Sequence, residues 1–326
     1  MKNYFIINPA AGGGKFAEKL SKDIESVCRE RNTDFEIYVT KREGDATEYV
    51  RRVCEQTPAD QTVRFYSCGG DGTNYEVISG AVGFDNALVG FIPSGTGNDF
   101  IRCFEGGENF SDLGAQLDGR TEKIDLIRCN DRYVMNMMNT GFDCEVAHKA
   151  SKLKTYPLIS SSMAYIMGVV AKLITKPTTG FKIALDGGEF LDRPSLLLAT
   201  FSNGRYCGGG FKSSPKARLR SGYIDVCLIS DLSRLKFISI VGKYRSGEYL
   251  FDESLKNIVE YRRATSVEID FGKNRNICID GEIFETQTLK LEVMPKALNI
   301  IVPLGADFAE NEDEGSEAKK EEAVLV

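Results

Sequence analysis

The chain has 326 residues, of which 42% are hydrophobic and 27% charged, a composition typical of a globular protein with room for two domains. Its formal net charge of −6 equals the net charge of the C-terminal residues 306–326, so the rest of the chain is electrically balanced. This balance excludes a protein that binds nucleic acid through a net basic surface, and no nucleic-acid partner is expected. The tail at 306–326 is acidic and poor in aromatic residues, and it is predicted to be disordered.

The nine cysteines are scattered, and no two of them form a C-x-x-C pair. Their odd number and their positions in apolar runs predict buried thiols in a reducing compartment, hence a cytoplasmic protein without a disulfide or zinc framework. The single histidine, His148, is interpreted as structural. Residues 1–7 show no secretory signal pattern. The uncharged run at 155–171 contains Pro157 and three serines, and it is too short to predict a membrane span.

The first third of the chain alternates between strand and helix patterns. Apolar strand runs are predicted at residues 4–7, 35–40, 63–67 and 88–92. Amphipathic helices are predicted between them at residues 16–31, 45–56 and 74–82. Such alternation is typical of an α/β fold with a parallel sheet, and residues 1–128 are interpreted as an α/β domain.

The second part of the chain is richer in strands, separated by turn residues. Strand-like runs are predicted at residues 132–139, 181–185, 195–202, 224–229, 266–271, 277–279, 289–294 and 298–302. They predict an antiparallel β-sandwich at residues 129–305, interrupted by helical insertions near 156–175 and 232–244. Whether the C-terminal end of this domain returns to the first one is left open.

Three glycine-rich turns follow predicted parallel strands, at residues 8–15, 68–74 and 93–99. Glycines allow a ligand to approach the backbone closely, and the start of a helix offers unpaired N–H groups that attract phosphate. Because ligands bind beyond the carboxyl ends of parallel strands, the three turns are expected to lie at one edge of the sheet. Each turn alone could equally be a simple strand-to-helix connection.

Carboxylates accompany these turns. Asp71 lies in the middle of the second turn, where a metal ion between it and a phosphate would relieve their repulsion. Asp99, Asp125 and Glu282 are further candidates. Phosphoryl transfer needs a phosphate cradle, Mg²⁺ and a base near the acceptor hydroxyl, and these residues could supply the last two. The alternatives are helix caps for Asp71 and Asp99, an arginine pair for Asp125 and a hairpin turn for Glu282.

Six short blocks carry a family resemblance. They are Asn8-Pro9 with Gly12, Gly69-Gly70-Asp71-Gly72-Thr73 with Glu76, residues 93–100, Asp125, residues 203–206 with 208–211, and Asp280-Gly281-Glu282. In this order and spacing the chain resembles the lipid kinases that share the diacylglycerol kinase catalytic domain, among them bacterial diacylglycerol kinases and the sphingosine and ceramide kinases. The resemblance implies an ATP-dependent kinase acting on a lipid hydroxyl, with diacylglycerol as the bacterial default.

The resemblance also implies roles for individual residues. Those expected to line the nucleotide are Asn8, Pro9, Ala10, Ala11, Gly12, Thr40, Gly70, Asp71, Gly72, Thr73, Glu76 and Thr96. Asp71 and Asp99 are expected to bind Mg²⁺, with Asp125 in the surrounding network of acidic groups and water. Glu282 is the expected general base, so the expected catalytic residues are Glu282, Asp71 and Asp125.

One feature departs from the family pattern. Some bacterial members bind a structural divalent ion at an Asp-Asp-Gly turn, where this chain has Arg220-Ser221-Gly222. Because hard cations need carboxylate or carbonyl ligands, that second metal is not expected, and Arg220 or a water molecule is expected in its place.

The lipid substrate is expected to be presented from a membrane surface, with peripheral association of the protein. The apolar run 156–175 is flanked by lysines, and residues 205–220 hold several bases and no acid; these are Lys149, Lys152, Lys154, Lys172, Lys176, Arg205, Lys212, Lys216, Arg218 and Arg220. Such bases are attracted to anionic lipid, although a buried helix with solvated lysines is an equal interpretation.

An exposed sheet edge could pair two chains as a homodimer. Two other functions stay open at this point. One is a kinase for a soluble substrate, of the NAD kinase type, which shares the Gly-Gly-Asp-Gly sequence. The other is a protein that binds nucleotide or lipid without catalysis.

Overall fold

The computed structural model describes residues 1–11, 14–94, 98–153, 175 and 178–309. Gly12, Thr96, the acidic tail beyond residue 309 and all of the predicted insertion at 156–175 except Thr175 lie outside the described residues.

The N-terminal part is an α/β domain, as predicted. Its elements are β1 Lys2–Ile7, α1 Gly14–Glu30, β2 Phe35–Val39, α2 Asp45–Gln56, β3 Val63–Gly69, α3 Asp71–Ala81, β4 Ala87–Pro93, β5 Phe104–Glu105 and α4 Leu113–Leu117. Strands β4, β3, β1 and β2 are neighbours in that order, and all pair in parallel. The carboxyl ends of the four strands therefore lie at one edge.

Both faces of this sheet are covered by helices. Leu20, Ile24 and Cys28 recur at a spacing of four along α1 and pack with β1 on one face. Helices α2 and α3 bury Val50 and Val77 on the other face. Because both faces are covered, the strands read as continuous apolar runs without the alternation of a half-exposed sheet.

The remaining elements form the β-sandwich domain. They are β6 Arg120–Cys129, β7 Arg132–Val134, β8 Met137–Gly141, α5 Phe142–Leu153, β9 Thr179–Leu185, β10 Leu191–Ser202, β11 Ile224–Ser230, α6 Arg234–Ser246, β12 Val259–Ala264, β13 Ser266–Ile279 and β14 Glu282–Val302. The last strand, β15 Asp307–Phe308, returns to the first domain and pairs antiparallel with β5. Strands β8 and β9 each pair with both β10 and β13, so the antiparallel sheet closes around an apolar core.

Strand β14 joins the two domains. It pairs antiparallel with β13 and β6, and at Ile300 it pairs in parallel with Val89 of β4. The sheets of the two domains are therefore one continuous sheet, and the hairpin between β13 and β14 is held at a fixed position relative to the N-terminal strands.

Several elements differ from the sequence-based expectation. The single strand expected at 132–139 is two strands, β7 and β8, because the N–H groups of Met135 and Asn136 donate to the carboxylate of Asp280. The two strands expected at 289–294 and 298–302 are one strand, β14, with an irregularity near Lys296, whose φ is +53°. The strand β12 was not predicted, since its sequence alternates charged and apolar residues only weakly.

Among the helices that the structure describes, none is both long and apolar enough to cross a bilayer.

Asn203 stabilises the junction between the domains. Its Nδ2 donates to the main-chain oxygens of Asp125, at 2.7 Å, and Met135, at 2.8 Å, and its side chain is fully buried. We expect Asn203→Ala to lower the free energy of unfolding by about 2 kcal/mol, because two buried carbonyls lose their donor. Urea unfolding measures the change.

A matched control is Asn86→Ala. Asn86 also donates from Nδ2 to two main-chain oxygens, those of Pro58 and Gln61, but at the surface. Water can replace it there, so the loss should be below about 1 kcal/mol. Equal losses in the two variants would contradict the prediction.

Candidate active site

The described parts of the three glycine-rich turns lie together at the carboxyl edge of the parallel sheet, with residues 12–13 and 95–97 outside the described chain. The N–H of Asn8 donates to the main-chain oxygen of Cys68 at 3.2 Å, and the N–H of Ser94 donates to that of Gly69 at 3.1 Å. The side chain of Asn8 donates from Nδ2 to Oγ1 of Thr73 at 3.1 Å. The turns that follow β1, β3 and β4 therefore contact one another, as the strand order predicts.

The turn after β3 depends on two glycines. A β-carbon added at Gly69 would lie 2.2 Å from Oγ1 of Thr73, so only glycine allows the helix to start this close to the strand. Gly70 is extended and precedes the first residue of α3, Asp71. The N–H groups in the first turn of a helix have no intrahelical acceptor, and they attract phosphate.

The other residues of the first turn and the second strand also reach this edge. In the described turn 8–11, the Ala10 N–H donates to Oδ1 of Asn8 at 2.9 Å, and the Ala11 N–H donates to its main-chain oxygen at 3.1 Å, with Pro9 between them. Thr40 lies directly after β2, where its N–H donates to the Ile7 oxygen at 2.9 Å. These residues are placed as the resemblance implies, and their contact with a nucleotide stays a prediction.

The Asp71 turn faces the hairpin that carries Glu282. A β-carbon built at Gly72 would lie 3.1 Å from Oε1 of Glu282, and one built at Gly281 would lie 3.7 Å from Oδ2 of Asp71. Residues more than 200 positions apart in the chain thus form one site. Glu282 itself is exposed at the tip of the hairpin, where a substrate can reach it.

Asp280 holds this hairpin in place. Its carboxylate accepts from the N–H groups of Met135 at 2.7 Å, Asn136 at 3.0 Å and Met137 at 2.8 Å. Burial raises the pKa of Asp280 to about 6, although the three N–H donors oppose this rise. The following Gly281 has a φ of +94°, which favours glycine and turns Glu282 toward α3.

Asp99 bridges the two domains. Its Oδ2 accepts from the N–H of Gly209 at 2.9 Å, and Nε of Arg102 lies 3.7 Å from its Oδ1. Burial raises the pKa of Asp99. Its Oδ1 is buried and accepts no hydrogen bond from the residues that the structure describes. An under-satisfied buried carboxylate oxygen suits a bound cation, and Asp99 does not cap a helix.

Asp125 is occupied by the main chain. Its Oδ1 accepts from the N–H of Lys296 and its Oδ2 from that of Gly222, both at 2.7 Å. Asp125 is buried and anchors two turns. Its partners are main-chain groups, and not the arginine considered from the sequence or Asp71. Its expected part in the magnesium network stays a prediction.

The turn after Leu219 stands where some bacterial members bind a structural divalent ion. The hydroxyl of Ser221 accepts from the N–H of Tyr223 at 3.2 Å, and the N–H of Gly222 donates to Asp125. Arg220 has its guanidinium 3.9 Å from the ring centre of Phe308, and its Nη1 lies 3.5 Å from a carboxylate oxygen of Glu122. Arg220 is thus engaged with two side chains of its own domain junction.

Glu76 contacts the main chain at the start of α2. Its two carboxylate oxygens accept from the N–H groups of Gly44 at 2.8 Å and Ala46 at 3.0 Å, at the start of α2. A carboxylate at a helix N-terminus is favourable. Glu76 therefore fixes the loop that follows Thr40, and its expected contact with the nucleotide stays a prediction.

The expected basic membrane surface at 205–220 is wrong for one of its residues. Arg205 is only 6% exposed, and its guanidinium donates to the main-chain oxygens of Ala217 and Ala309. A buried arginine that holds two chain segments cannot face a lipid surface. Lys149 is exposed, whereas the side chains of the other lysines around 156–175 lie outside the described residues.

The donor set at the edge fits Mg²⁺. No group of three or more His, Cys, Asp or Glu side chains among the described residues is arranged to hold a metal ion. Mg²⁺ in kinases is bound by one or two carboxylates together with phosphate and water, so a preformed cage is not required. Asp71 and the under-satisfied Oδ1 of Asp99 provide such carboxylates.

The structure adds three residues that the sequence did not single out. Arg132 lies between Tyr75, on α3, and Phe284, on β14. Tyr75 lies one helical turn after Asp71, and Phe284 lies two residues after Glu282, so their spacing could have indicated a shared neighbour. Nothing in the local sequence of Arg132 marks it.

Comparison with known proteins identifies both domains. Residues 2–129 match the family "diacylglycerol kinase catalytic domain", and residues 136–302 match the "YegS C-terminal NAD kinase beta sandwich-like domain". The chain is 26% identical over 283 residues to a diacylglycerol kinase of Bacillus subtilis, covering 85% of this chain and 88% of that protein. It is 27% identical over 284 residues to a YegS-like lipid kinase of Pseudomonas aeruginosa, covering 85% and 88%.

A solved structure shows the same fold. A diacylglycerol kinase from Bacillus anthracis superposes with a TM-score of 0.67 at 21% identity, covering 93% of this chain and 97% of that one. At this identity the likeness concerns the fold alone, and the family follows from the two domain matches. The chain therefore belongs to the family of lipid kinases that joins a diacylglycerol kinase catalytic domain to a YegS-type β-sandwich domain, and it is an ATP-dependent enzyme of the kinase class.

Proposed function

We propose that this kinase transfers the γ-phosphoryl group of ATP, with Mg²⁺, to the free hydroxyl of diacylglycerol and so forms phosphatidic acid. The observation that carries the proposal is the approach of the Asp71 turn to the Gly281-Glu282 hairpin across the two domains. This arrangement brings the phosphate-binding edge and an exposed carboxylate to one place. The diacylglycerol kinase of Bacillus subtilis, which aligns over most of both chains, supports the choice of acceptor.

In the proposed reaction the N-terminal domain binds ATP and the second domain presents the acceptor. The N–H groups at the start of α3, together with the turn at 8–11, bind the phosphates. Glu282 accepts the proton of the acceptor hydroxyl while the hydroxyl oxygen forms a bond to the γ-phosphorus. The bond from that phosphorus to the bridging oxygen breaks, and ADP leaves with the electron pair.

Mg²⁺ would be bound by Asp71 and Asp99, and when present it would neutralise charge on the phosphates. Asp99 is suited to this role because its Oδ2 is fixed by Gly209, while its Oδ1 accepts no hydrogen bond in the described chain and has only the Arg102 guanidinium, at 3.7 Å, beside it. The same contact with Gly209 makes the metal site depend on the position of the second domain.

The acceptor is a membrane lipid, so the proposal includes peripheral contact with a bilayer on the cytoplasmic side. The exposed position of Glu282 supports it, because the base is open to an acceptor that arrives from outside the protein.

The test is a three-arm assay with labelled ATP and Mg²⁺. One arm contains diacylglycerol in mixed micelles, the second a total lipid extract, and the third a soluble nicotinamide dinucleotide. The soluble arm matters because the C-terminal family is itself described as NAD kinase-like. Label in phosphatidic acid is the expected result. Label in another lipid or in the dinucleotide would replace diacylglycerol as the acceptor, and label in none would reject the reaction.

Glu282→Gln should keep ATP binding and lower kcat by about 10² to 10⁴, because the amide cannot accept the hydroxyl proton. Steady-state kinetics with diacylglycerol and equilibrium binding of ATP measure the two effects. Glu285→Gln is the matched control, since Glu285 is exposed on the same strand three residues further on. A variant with normal kcat at position 282 would remove the general base from the mechanism.

Asp71→Ala should abolish turnover and leave the fold intact, because the proposed change removes a metal contact at the surface of the turn and no packing. Turnover is measured across a range of Mg²⁺ concentrations, and folding by circular dichroism and thermal unfolding. Asp85→Ala, at an exposed loop before β4 on the opposite edge of the sheet, is the control. Residual activity that saturates at the wild-type Mg²⁺ concentration would contradict the role.

Gly72→Ala should lower kcat roughly tenfold, because the added β-carbon crowds Oε1 of Glu282 and displaces the base. Alanine is favourable within a helix, so α3 itself should not be weakened. Gly242→Ala, in α6, is the control, since a β-carbon there meets no atom within 4 Å. If kcat is unchanged in Gly72→Ala, the close approach of the two loops is not required for catalysis.

A further inference from the structure

Arg132 is held rigidly beside the proposed active site. Its Nη1 donates to the hydroxyl of Tyr75 at 3.4 Å, and its guanidinium carbon lies 3.7 Å from the ring centre of Phe284. Stacking on an aromatic ring fixes the plane of a guanidinium group and leaves its edge available for hydrogen bonds. The side chain is partly exposed, so that edge is open to a ligand.

Both partners of Arg132 lie close in the sequence to residues with a proposed role in the reaction. Tyr75 lies four residues after Asp71 in α3, about 6 Å along one helical turn, and helical side chains lean toward the N-terminus. Phe284 lies two residues after Glu282 in β14, on the same face of the strand and about 7 Å away. The guanidinium group therefore lies between the helix that begins with Asp71 and the strand that begins with Glu282.

Arg132 lacks an acidic partner among the residues that the structure describes, since its contacts there are a phenol and a ring. Comparable arginines of the same domain are paired: Arg128 with Glu292, and Arg193 with Glu260 at 2.8 Å. A fixed guanidinium group without a carboxylate offers its donors to an incoming anion, and oxyanions that accept two parallel hydrogen bonds, such as phosphate, are its best ligands.

We propose that Arg132, positioned by Tyr75 and Phe284, binds the phosphomonoester group of the lipid product. The inference rests on the proposed function for the identity of that lipid, and it adds a binding site on the product side of the reaction. Diacylglycerol is uncharged at its reacting end, whereas the product carries a charge of about −1.5 to −2 at neutral pH. Arg132 thus distinguishes product from substrate by charge.

Arg132 lies between α3 and the strand β14 that carries Glu282. In this position it meets the phosphoryl group after transfer to the acceptor on the Glu282 side, rather than the triphosphate bound at the N-terminus of α3. Arg132 is therefore a product-binding residue, and Tyr75 and Phe284 are its positioning residues.

The first test measures binding without turnover. Dioctanoyl phosphatidic acid and dioctanoylglycerol, both below their micellar concentrations, are titrated into the full chain without ATP by isothermal calorimetry. Arg132→Gln should weaken the binding of phosphatidic acid at least tenfold, which is the loss of affinity expected for a charge-assisted hydrogen bond. Its affinity for dioctanoylglycerol should change less than twofold. Equal affinity of both proteins for the phosphatidic acid would overturn the proposal.

A third titration distinguishes the source of the phosphate. Inorganic phosphate should bind the wild-type chain far more weakly than the lipid phosphate. If phosphate alone binds as tightly and depends equally on Arg132, the site takes free phosphate and the lipid assignment is wrong. Because none of these titrations needs catalysis, they remain informative even if diacylglycerol fails as the acceptor in the kinase assay.

The matched control is Arg128→Gln. Arg128 lies on β6, the strand before the one that carries Arg132. Its guanidinium pairs with Glu292, which is ten residues along β14 from Glu282. The two variants remove the same charge from neighbouring strands, so Arg128→Gln should bind both lipids as the wild-type chain does. An equal loss in this control would show a general effect of surface charge and overturn the local site.

A purely structural role of Arg132 makes a different prediction. If Arg132 served only to join α3 to β14, Arg132→Gln would lower thermal stability and weaken the binding of both lipids equally. Product inhibition separates the two roles: the inhibition constant for phosphatidic acid should rise at least tenfold while KM for ATP is unchanged. Arg132→Lys, which keeps the charge without the planar stack, should restore part of the affinity. Lack of any rescue together with a raised KM for ATP would favour the structural role.

Discussion

The carboxylate of Asp280 is the contact on which the rest of the site depends. It accepts three successive main-chain N–H groups, from Met135 to Met137, and so interrupts one strand and fixes the tip of the β13–β14 hairpin. Burial raises its pKa to about 6, which shows that holding a carboxyl here is opposed by desolvation. With this anchor in place, Glu282 lies beside the start of α3, where its Oε1 is 3.1 Å from a β-carbon built at Gly72.

Glycines then decide how closely the two domains can meet. At Gly72 and Gly281 a β-carbon would crowd or strain the contact between the α3 turn and the hairpin, and at Gly69 it would collide with Thr73. The domains are also joined covalently and by hydrogen bonds through β14, whose last residues extend the parallel sheet at Ile300. The site is thus formed by a continuous sheet. Small relative movements of the domains would change both the position of Glu282 relative to α3 and the contact between Asp99 and Gly209.

The acidic residues near the site have distinct functions that depend on their partners. Asp125 and Glu76 each use both carboxylate oxygens to bind main-chain N–H groups, which fixes loops. Asp99 uses one oxygen in this way and leaves the other without a hydrogen bond in the described part of the chain. Only the second arrangement leaves a carboxylate oxygen for a metal ion, so acids that are equivalent by residue type divide into structural and metal-binding candidates.

The sequence alone determined the α/β order of the first domain, because strand and helix periodicity are local properties. It placed α2 at its observed bounds and put the three glycine turns at one sheet edge. That Asp71 and Glu282 belong to one site was implied by the family resemblance, which the order of the short blocks carries. The tertiary structure decided which carboxylates are anchors, and it revealed Arg132 beside Tyr75 and Phe284. The reason is physical: the partners of these side chains are main-chain groups and rings far away in the chain, which no local pattern encodes.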